Sequence, residues 1–325
     1  MLATLTPTAQ TSSPDTQVVT ETLLRWSRWQ DLSEWLEPLL LNPGNSAGFV
    51  ADINRCAHTL VKLVEEDPDL AIFHIVHVSP DKMARYGVLH SMHTGMLMTL
   101  VGKRKDWSES RIDSAVKAAL TMNLSITALQ ITLAQQVEPP TSNQRQAIAA
   151  HPLATWHMLR QLGVTDEDWL IAVAQHHEQP DGKGYPQGLT EINQTADALR
   201  TCDVFGAKLS PRISRSGMLS TRAAAEIFRQ RSAGYFGATI IRELGLYPPG
   251  CLVELNTGEQ GIVVRRTADP MSPEIVVLTT EMGERLYSPV RTRTGKAYGR
   301  MVIGAAENDA VGGFHDPAAV LSAAG

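Results

Sequence analysis

His176-His177-Glu178-Gln179-Pro180-Asp181-Gly182-Lys183-Gly184-Tyr185-Pro186 is the stretch on which the reading of this chain turns. It closes an apolar-periodic run, DEDWLIAVAQ, whose first turn carries acids where the helix dipole favours them. Adjacent histidines at a helix C-terminus, ahead of a Gly-rich turn, point two imidazoles outward where the helix stops. Neutral imidazole suits Zn, Mn or Fe, and a neighbouring acid can fix a His tautomer from behind. A bare His-His pair is more often a helix end with two satisfied polar side chains and an ordinary turn. The rest of the string, and what flanks it, decides between these readings.

Upstream, successive helices of 10–20 residues are expected from Pro80 to about Leu246, each punctuated by Pro, Gly, Ser or Asp. Thr141 followed by Gln144 opens one of them, Gly163 ends it, and Thr165 caps the next. Ser108 before Arg111 offers half a capping box. Nearer the N-terminus, Thr20–Leu41 and Phe49–Glu66 show helical spacing, and LAIFHIVHV (70–78) reads equally as a buried strand or a helix. After Pro248-Pro249-Gly250 the character changes to short β-branched runs, CLVEL, GIVVRR and EIVVLTT, bounded by turns. The expected organisation is a disordered tail at 1–17, a helical module at 18–79, a helical domain at 80–246, a small antiparallel β unit at 247–298 and a flexible tail at 299–325.

Composition narrows the class. A chain of 325 residues with 43% hydrophobic and 19% charged residues buries a core without disulfides. Net charge of −5 argues against a nucleic-acid binder working through bulk positive charge. Cys56, Cys202 and Cys251 are far apart, so neither a disulfide framework nor a CxxC knuckle is expected. No signal peptide or membrane span is read, and a cytoplasmic protein without membrane contact is expected.

The whole string resembles the HHExxDGxGYP signature of the HD-GYP family, a bacterial branch of the HD-domain metal phosphohydrolases. Eight specified residues in eleven arise at a given position by chance roughly once in 10¹⁰. Leu89-His90-Ser91 resembles the family's first metal-ligand histidine, and His151-Pro152 its HP ligand histidine. CDVFGAKLSPRISR (202–215) is similar to ADxYDAxxSxRxYR, which places Asp203 at the last ligand and Arg212 and Arg215 at the family's arginines. The resemblance runs from about Tyr86 to Gly245, and the β unit is similar to an extension that often follows. It implies a mainly α fold: an HD-superfamily helical bundle with N-terminal helices and a small C-terminal antiparallel β subdomain. It further implies a two- or three-metal cluster (Fe or Mn) that hydrolyses cyclic di-GMP, with ligand contacts from Asp181, Gly182, Lys183, Gly184, Tyr185 and Pro186. Protein partners such as a GGDEF-type domain follow from the same resemblance.

The family's namesake dyad is where the chain departs. Its HDxGK stretch falls in the expected helix VKAALTMNLSITALQ, with Met122 at the histidine, Asn123 at the aspartate, Ser125 at the glycine and Ile126 at the lysine. A thioether is a soft, neutral ligand poorly matched to Mn²⁺ or Fe²⁺. Asn123 offers a carbonyl oxygen without the negative charge that holds two dications together, and Ile126 neither donates a proton nor neutralises phosphate. No His-Asp pair exists between His90 and His151. The metal candidates that remain are His151, His176 and His177, with Asn123 as a weak fourth ligand, and a half-site of His90 and Asp203; metal occupancy is expected to be partial or absent.

The leading expectation is a catalytically impaired family member acting by nucleotide or protein binding. Two alternatives stand beside it. One is a phosphodiesterase with a rearranged site in which Glu178, Asp181 or Asp203 substitutes for the lost anion; the other is a structural adaptor without nucleotide. His74, His77, His93 and His157 are read as packed or surface residues, Cys202 as a small buried one, and Trp26, Trp29 and Trp35 as core or helix contacts.

Overall fold

A computed structural model describes residues 14–77, 84–210, 218, 222–223, 226, 234–306 and 316–324. Helix α1 (Pro14–Leu41) leads through a 3-10 turn (Pro43–Asn45) to α2 (Phe49–Glu66) and α3 (Pro68–Val76). The start of α1 lies inside the stretch expected as a tail; Pro14 suits a first helical turn, where its fixed φ is favourable and no amide is needed. Helix α2 buries Ile53, Cys56, Ala57, Leu60, Leu63 and Val64, a single stripe at helical spacing.

The ambiguous run 70–78 resolves as helix α3 as far as Val76. Asp67 caps it, accepting from the Leu70 amide at 3.0 Å, with Pro68 in its first turn. Leu70 through Ile75 are all buried, so no polar face reveals the helical period. Trp29 lies in the core and Trp26 packs on it, as expected. Trp35 is half exposed under the Arg55 guanidinium, 5.5 Å from its ring.

The hub is α4 (Tyr86–Arg104), buried from Tyr86 to Gly102. Against it pack α5 (Glu109–Thr121), α9 (Gln194–Leu209) and α10 (Gly234–Leu244). The segment expected as one helix across residues 116–130 is broken. Helix α5 ends at Thr121 with Met122 as its C-cap, a 3-10 turn covers Leu124–Ile126, and α6 (Thr127–Gln135) resumes. The Thr127 hydroxyl donates to the Asn123 carbonyl at 3.1 Å, and the Ser125 amide donates to Thr155 Oγ1 at 3.2 Å. Such side-chain bonds offer the backbone an alternative to the helical ladder. By length and composition Glu109–Gln135 would cross a bilayer, yet this break interrupts it and most of it is buried.

Helix α7 (Ser142–Gln161) opens with a full capping box between Thr141 and Gln144, and Gly163 takes φ +90° just beyond its end. Helix α8 (Glu167–Gln175) is capped by Asp166, one residue after the expected Thr165; its carboxylate accepts from the Trp169 amide at 3.0 Å. The longer Asp side chain also reaches the Ser114 hydroxyl at 2.7 Å and the buried Lys117 ammonium at 3.0 Å, which Thr165 offers no charge to meet. Asp166→Ala is therefore expected to cost about 2–4 kcal/mol, combining a lost cap with a buried cation left to Asp113 alone. Denaturant unfolding measures it, and Asp166→Asn, which keeps the cap, should recover about 1 kcal/mol. Equal stabilities of Asp166→Ala and the native chain would count against this network.

Five antiparallel strands follow: β1 (Leu252–Leu255), β2 (Gln260–Arg265), β3 (Glu274–Thr279), β4 (Arg285–Arg293) and β5 (Val302–Ala305), in spatial order β4-β3-β2-β1-β5. One face, with Leu252, Ile262, Val276 and Leu278, joins the helical core, while Val253, Val263, Ile275 and Val302 form a second cluster. Strand β5 and helix α11 (Pro317–Ala324) fall inside the stretch expected as a flexible tail. Each is too short for its period to register in sequence. Strand β5 is held by non-local pairing, Val253 with Ala305 and Leu255 with Val302, and α11 buries Val320 and Leu321.

Candidate metal centre

Four elements and one loop bring the expected residues together. Helix α7 carries His151 at mid-length, α8 ends on His176 as its C-cap with His177 next, α4 carries His90 and α9 carries Asp203. The ligand atoms of His151, His176 and His177 lie within 4.8 Å of one another. His151 Nδ1–H donates to the Ile148 carbonyl at 2.6 Å, and His176 Nδ1–H to the Val173 carbonyl at 2.6 Å. Those bonds set both tautomers and leave each Nε2 with a bare lone pair. The two Nε2 atoms face each other at 3.1 Å.

Two buried lone pairs at that distance repel unless a cation lies between them. Nitrogens ~2.0–2.1 Å from one tetrahedral ion are themselves about 3.3 Å apart, close to the separation found. An all-imidazole donor set suits a borderline divalent ion. The three histidines thus fit one ion.

Burial holds the rings neutral, the form that ligates. His151 is pushed down to about 3 by burial and then by His176, while His177 falls well below the usual imidazole range for the same two reasons. His176 is lowered by burial. Below pH 6.5 the unfolded chain takes up protons that the folded, metal-free chain refuses. Stability is therefore full above about pH 6.5 and lost as pH falls toward 3, His151 contributing on the order of 4–5 kcal/mol. Thermal denaturation of chelator-treated protein is expected to show a steep fall between pH 7 and 4.5, flattened in His151→Gln. A flat profile in the native chain would contradict the buried neutral cluster.

His90 and Asp203 form a second group. His90 Nε2–H donates to Asp203 Oδ1 at 2.7 Å, and the His90 ring stacks on Tyr86, 5.5 Å between centroids. Burial alone pushes the Asp203 carboxyl up, but the His90 hydrogen bond and the neighbouring histidines hold it well below the carboxylate range. Met122 is fully buried in the core, Ile126 is buried, and Asn123 is buried at the helix break with its carbonyl accepting from the Ile126 amide at 2.8 Å. Ser125 Oγ meets Thr155 Oγ1 at 2.8 Å and the His151 carbonyl at 3.3 Å, so the position of the family's glycine here braces the His151 helix.

Two of the expected substitute anions are engaged elsewhere. Glu178 is fully buried and accepts from the Gln187 amide at 2.7 Å and the Leu189 amide at 2.9 Å, anchoring the loop instead of facing the histidines. Asp181 is exposed and accepts from the Lys183 amide at 3.1 Å; the Lys183 ammonium, 82% exposed, stands 3.7 Å from it. Gly182 takes φ +72°, and a Cβ on Gly184 would overlap the backbone of Glu178 and Gln179. Tyr185, joined to Pro186 by a cis peptide, donates its amide to the His177 carbonyl at 3.1 Å and stacks on the His177 ring at 4.5 Å. Arg212 and Arg215 lie outside the described residues.

His74, His77, His93 and His157 are packed or surface residues, as expected. His74 and His93 bond to each other at 3.0 Å beside Trp26 and Trp29, His77 stacks on Phe73, and His157 is exposed against Trp156. Cys202 is buried, which pushes its thiol up. Sequence reasoning missed Tyr86 under His90, and Arg200, buried one turn before Asp203 and close enough to oppose a proton on His177. No local pattern marks either residue.

Residues 79–240 match the HD domain family. The cyclic di-GMP phosphodiesterase PA4108 of Pseudomonas aeruginosa is 28% identical over 192 residues, covering 56% of this chain and 45% of that protein. The cyclic di-GMP phosphodiesterase PdeB of Borreliella burgdorferi is 19% identical over 182 residues, covering 54% of this chain and 48% of that protein. This chain therefore spans about half the length of the curated relatives it matches. Among solved structures, Bd1817, an HDG"Y"P protein from Bdellovibrio bacteriovorus, superposes with a TM-score of 0.52 at 15% identity over 72% of this chain and 73% of that one, which speaks to the fold alone.

Proposed function

Because the chain belongs to the HD-GYP family, through an HD domain at residues 79–240, we propose that it is a cyclic di-GMP signalling protein that binds the dinucleotide without efficient hydrolysis. The observation that carries this reading is Met122-Asn123 in place of the family's dyad, with Met122 wholly buried in the apolar core. A thioether and a neutral amide there neither bridge dications nor move a proton.

In this reading His151, His176 and His177 would hold a divalent ion, which when bound supplies a Lewis acid for a phosphate oxygen. Tyr185 fixes the His177 ring by stacking. Lys183 reaches solvent, where it would meet a phosphate; Arg212 and Arg215, outside the described residues, stand at the positions of the family's arginines in the sequence. Ile126, buried, contributes no proton to a leaving oxygen. The exposed turn at Asp181–Lys183 is also where a protein partner such as a GGDEF-type domain would dock, in a cytoplasmic setting.

The three-imidazole cluster is the observation that favours the second reading, a metal-dependent phosphodiesterase with a rearranged site. Equilibrium dialysis of the full chain with cyclic di-GMP tests binding: saturable uptake is expected, weakened roughly tenfold in Lys183→Ala. Absence of uptake at any metal loading would sink the proposal and leave an adaptor without nucleotide.

A further inference from the structure

Five donors, the buried His90, His151, His176 and Asp203 and the half-buried His177, converge on this centre from α4, α7, α9 and the end of α8. Their bonds divide them into two unlike groups. Between His151 and His176 two lone pairs face each other across 3.1 Å, an arrangement that asks for a cation. Between His90 and Asp203 an N–H meets a carboxylate oxygen at 2.7 Å, so the nitrogen of His90 that faces Asp203 carries a proton rather than a free lone pair, while its buried Nδ1 has no hydrogen-bond partner.

Charge points the same way. Among the described residues Asp203 is the one carboxylate whose field reaches all three ligand histidines. Glu178 is spent on two loop amides and Asp181 lies at the surface. From the α9 side the buried Arg200 guanidinium, balanced by Asp197 at 3.2 Å, adds further positive charge near His177. Two dications ~3.5–4 Å apart in a buried site need anions between them, and the position that the family resemblance gives to the bridging aspartate is held by the neutral Asn123.

We propose that this centre holds a single divalent ion per chain, ligated by His151, His176 and His177, while His90 and Asp203 stay bonded to each other and ligate no second ion. The assignment rests on the family reading above but not on whether the chain turns over. A single ion held there by His151, His176 and His177 would supply one Lewis acid for a phosphate oxygen.

The full chain, stripped with chelator, reloaded anaerobically with Mn²⁺, Co²⁺ or Zn²⁺ and freed of excess, is assayed for bound metal by elemental analysis. One ion per chain is expected. His151→Gln is expected to lose it, with folding verified by thermal melting, whereas His90→Gln and the near-isosteric Asp203→Asn are expected to retain it. Two ions per native chain, none, or an ion lost in Asp203→Asn yet kept in His151→Gln would each overturn the assignment. Product from cyclic di-GMP at one ion per chain would sink the no-turnover reading and leave this one standing; two ions without product would do the reverse.

Discussion

Native protein reconstituted anaerobically with Mn²⁺ or Fe²⁺ is expected to release linear dinucleotide from cyclic di-GMP no faster than the detection limit of the assay, and Met122→His/Asn123→Asp is expected to exceed that limit at least about a thousandfold. A thousandfold corresponds to about 4 kcal/mol of transition-state stabilisation, well within what Lewis-acid activation of a phosphate and its attacking water supplies. The physical lever is charge. Asn123→Asp changes almost no volume at a buried position yet returns a negative charge where the family's motif carries its aspartate. Met122→His replaces a soft, neutral thioether with an imidazole at the end of α5, where the backbone is already helical (φ −52°, ψ −30°). Should the double variant fold poorly, Asn123→Asp alone tests the charge. Product formed by the native chain and abolished in His176→Ala/His177→Ala would refute the impaired reading, since three histidines would then suffice.

Gly184→Ala is expected to be the most damaging glycine-to-alanine change among the described residues, at about 3–5 kcal/mol. An added Cβ would overlap backbone, with the Glu178 carbonyl carbon at 2.6 Å, so no side chain can swing aside to make room. The loop must lift. As it does, the buried Glu178 carboxylate loses amides at 2.7 and 2.9 Å, and Tyr185 leaves the His177 ring. A buried carboxylate stripped of its donors accounts for most of the cost. Gly188→Ala, at φ +69° with only the Gly182 carbonyl within contact at 3.2 Å, is expected to cost about 1 kcal/mol. Hydrogen exchange across residues 178–189 together with thermal melting separates the two. Native protection of that segment in Gly184→Ala would show that the loop tolerates the methyl and that the Glu178 anchor is not what holds it.

Much of the centre was legible residue by residue. His176, His177, His151-Pro152, His90 and Asp203 stand in patterns whose chemistry needs those side chains, and the absence of any His-Asp pair between His90 and His151 is a plain reading of the string. Helix starts such as Thr141–Gln144 were equally readable, because a capping box is satisfied within four residues. Less could be read where an element's reasons are remote. The break at Met122–Asn123 is held in part by Thr155 on another helix, α3 shows no polar face, and β5 exists through its pairing with β1. Glu178 looked like a spare acid; its partners, Gln187 and Leu189, are a loop away.

By itself, then, the sequence determined that the chain is mainly helical with a small β unit, that it keeps the family's histidines and turn, and that it lacks the dyad, because these are properties of residue identity and short-range spacing. Which donors meet was decided only by the tertiary structure. His90 and Asp203 are 113 positions apart in the chain, and His151 and His176 are 25, on helices whose packing alone sets their distance. A hydrogen-bonded pair and a pair of opposed lone pairs are written with the same letters. Their difference lies in which ring nitrogen a backbone carbonyl occupies, and that is settled by where α7 and α8 end up against each other.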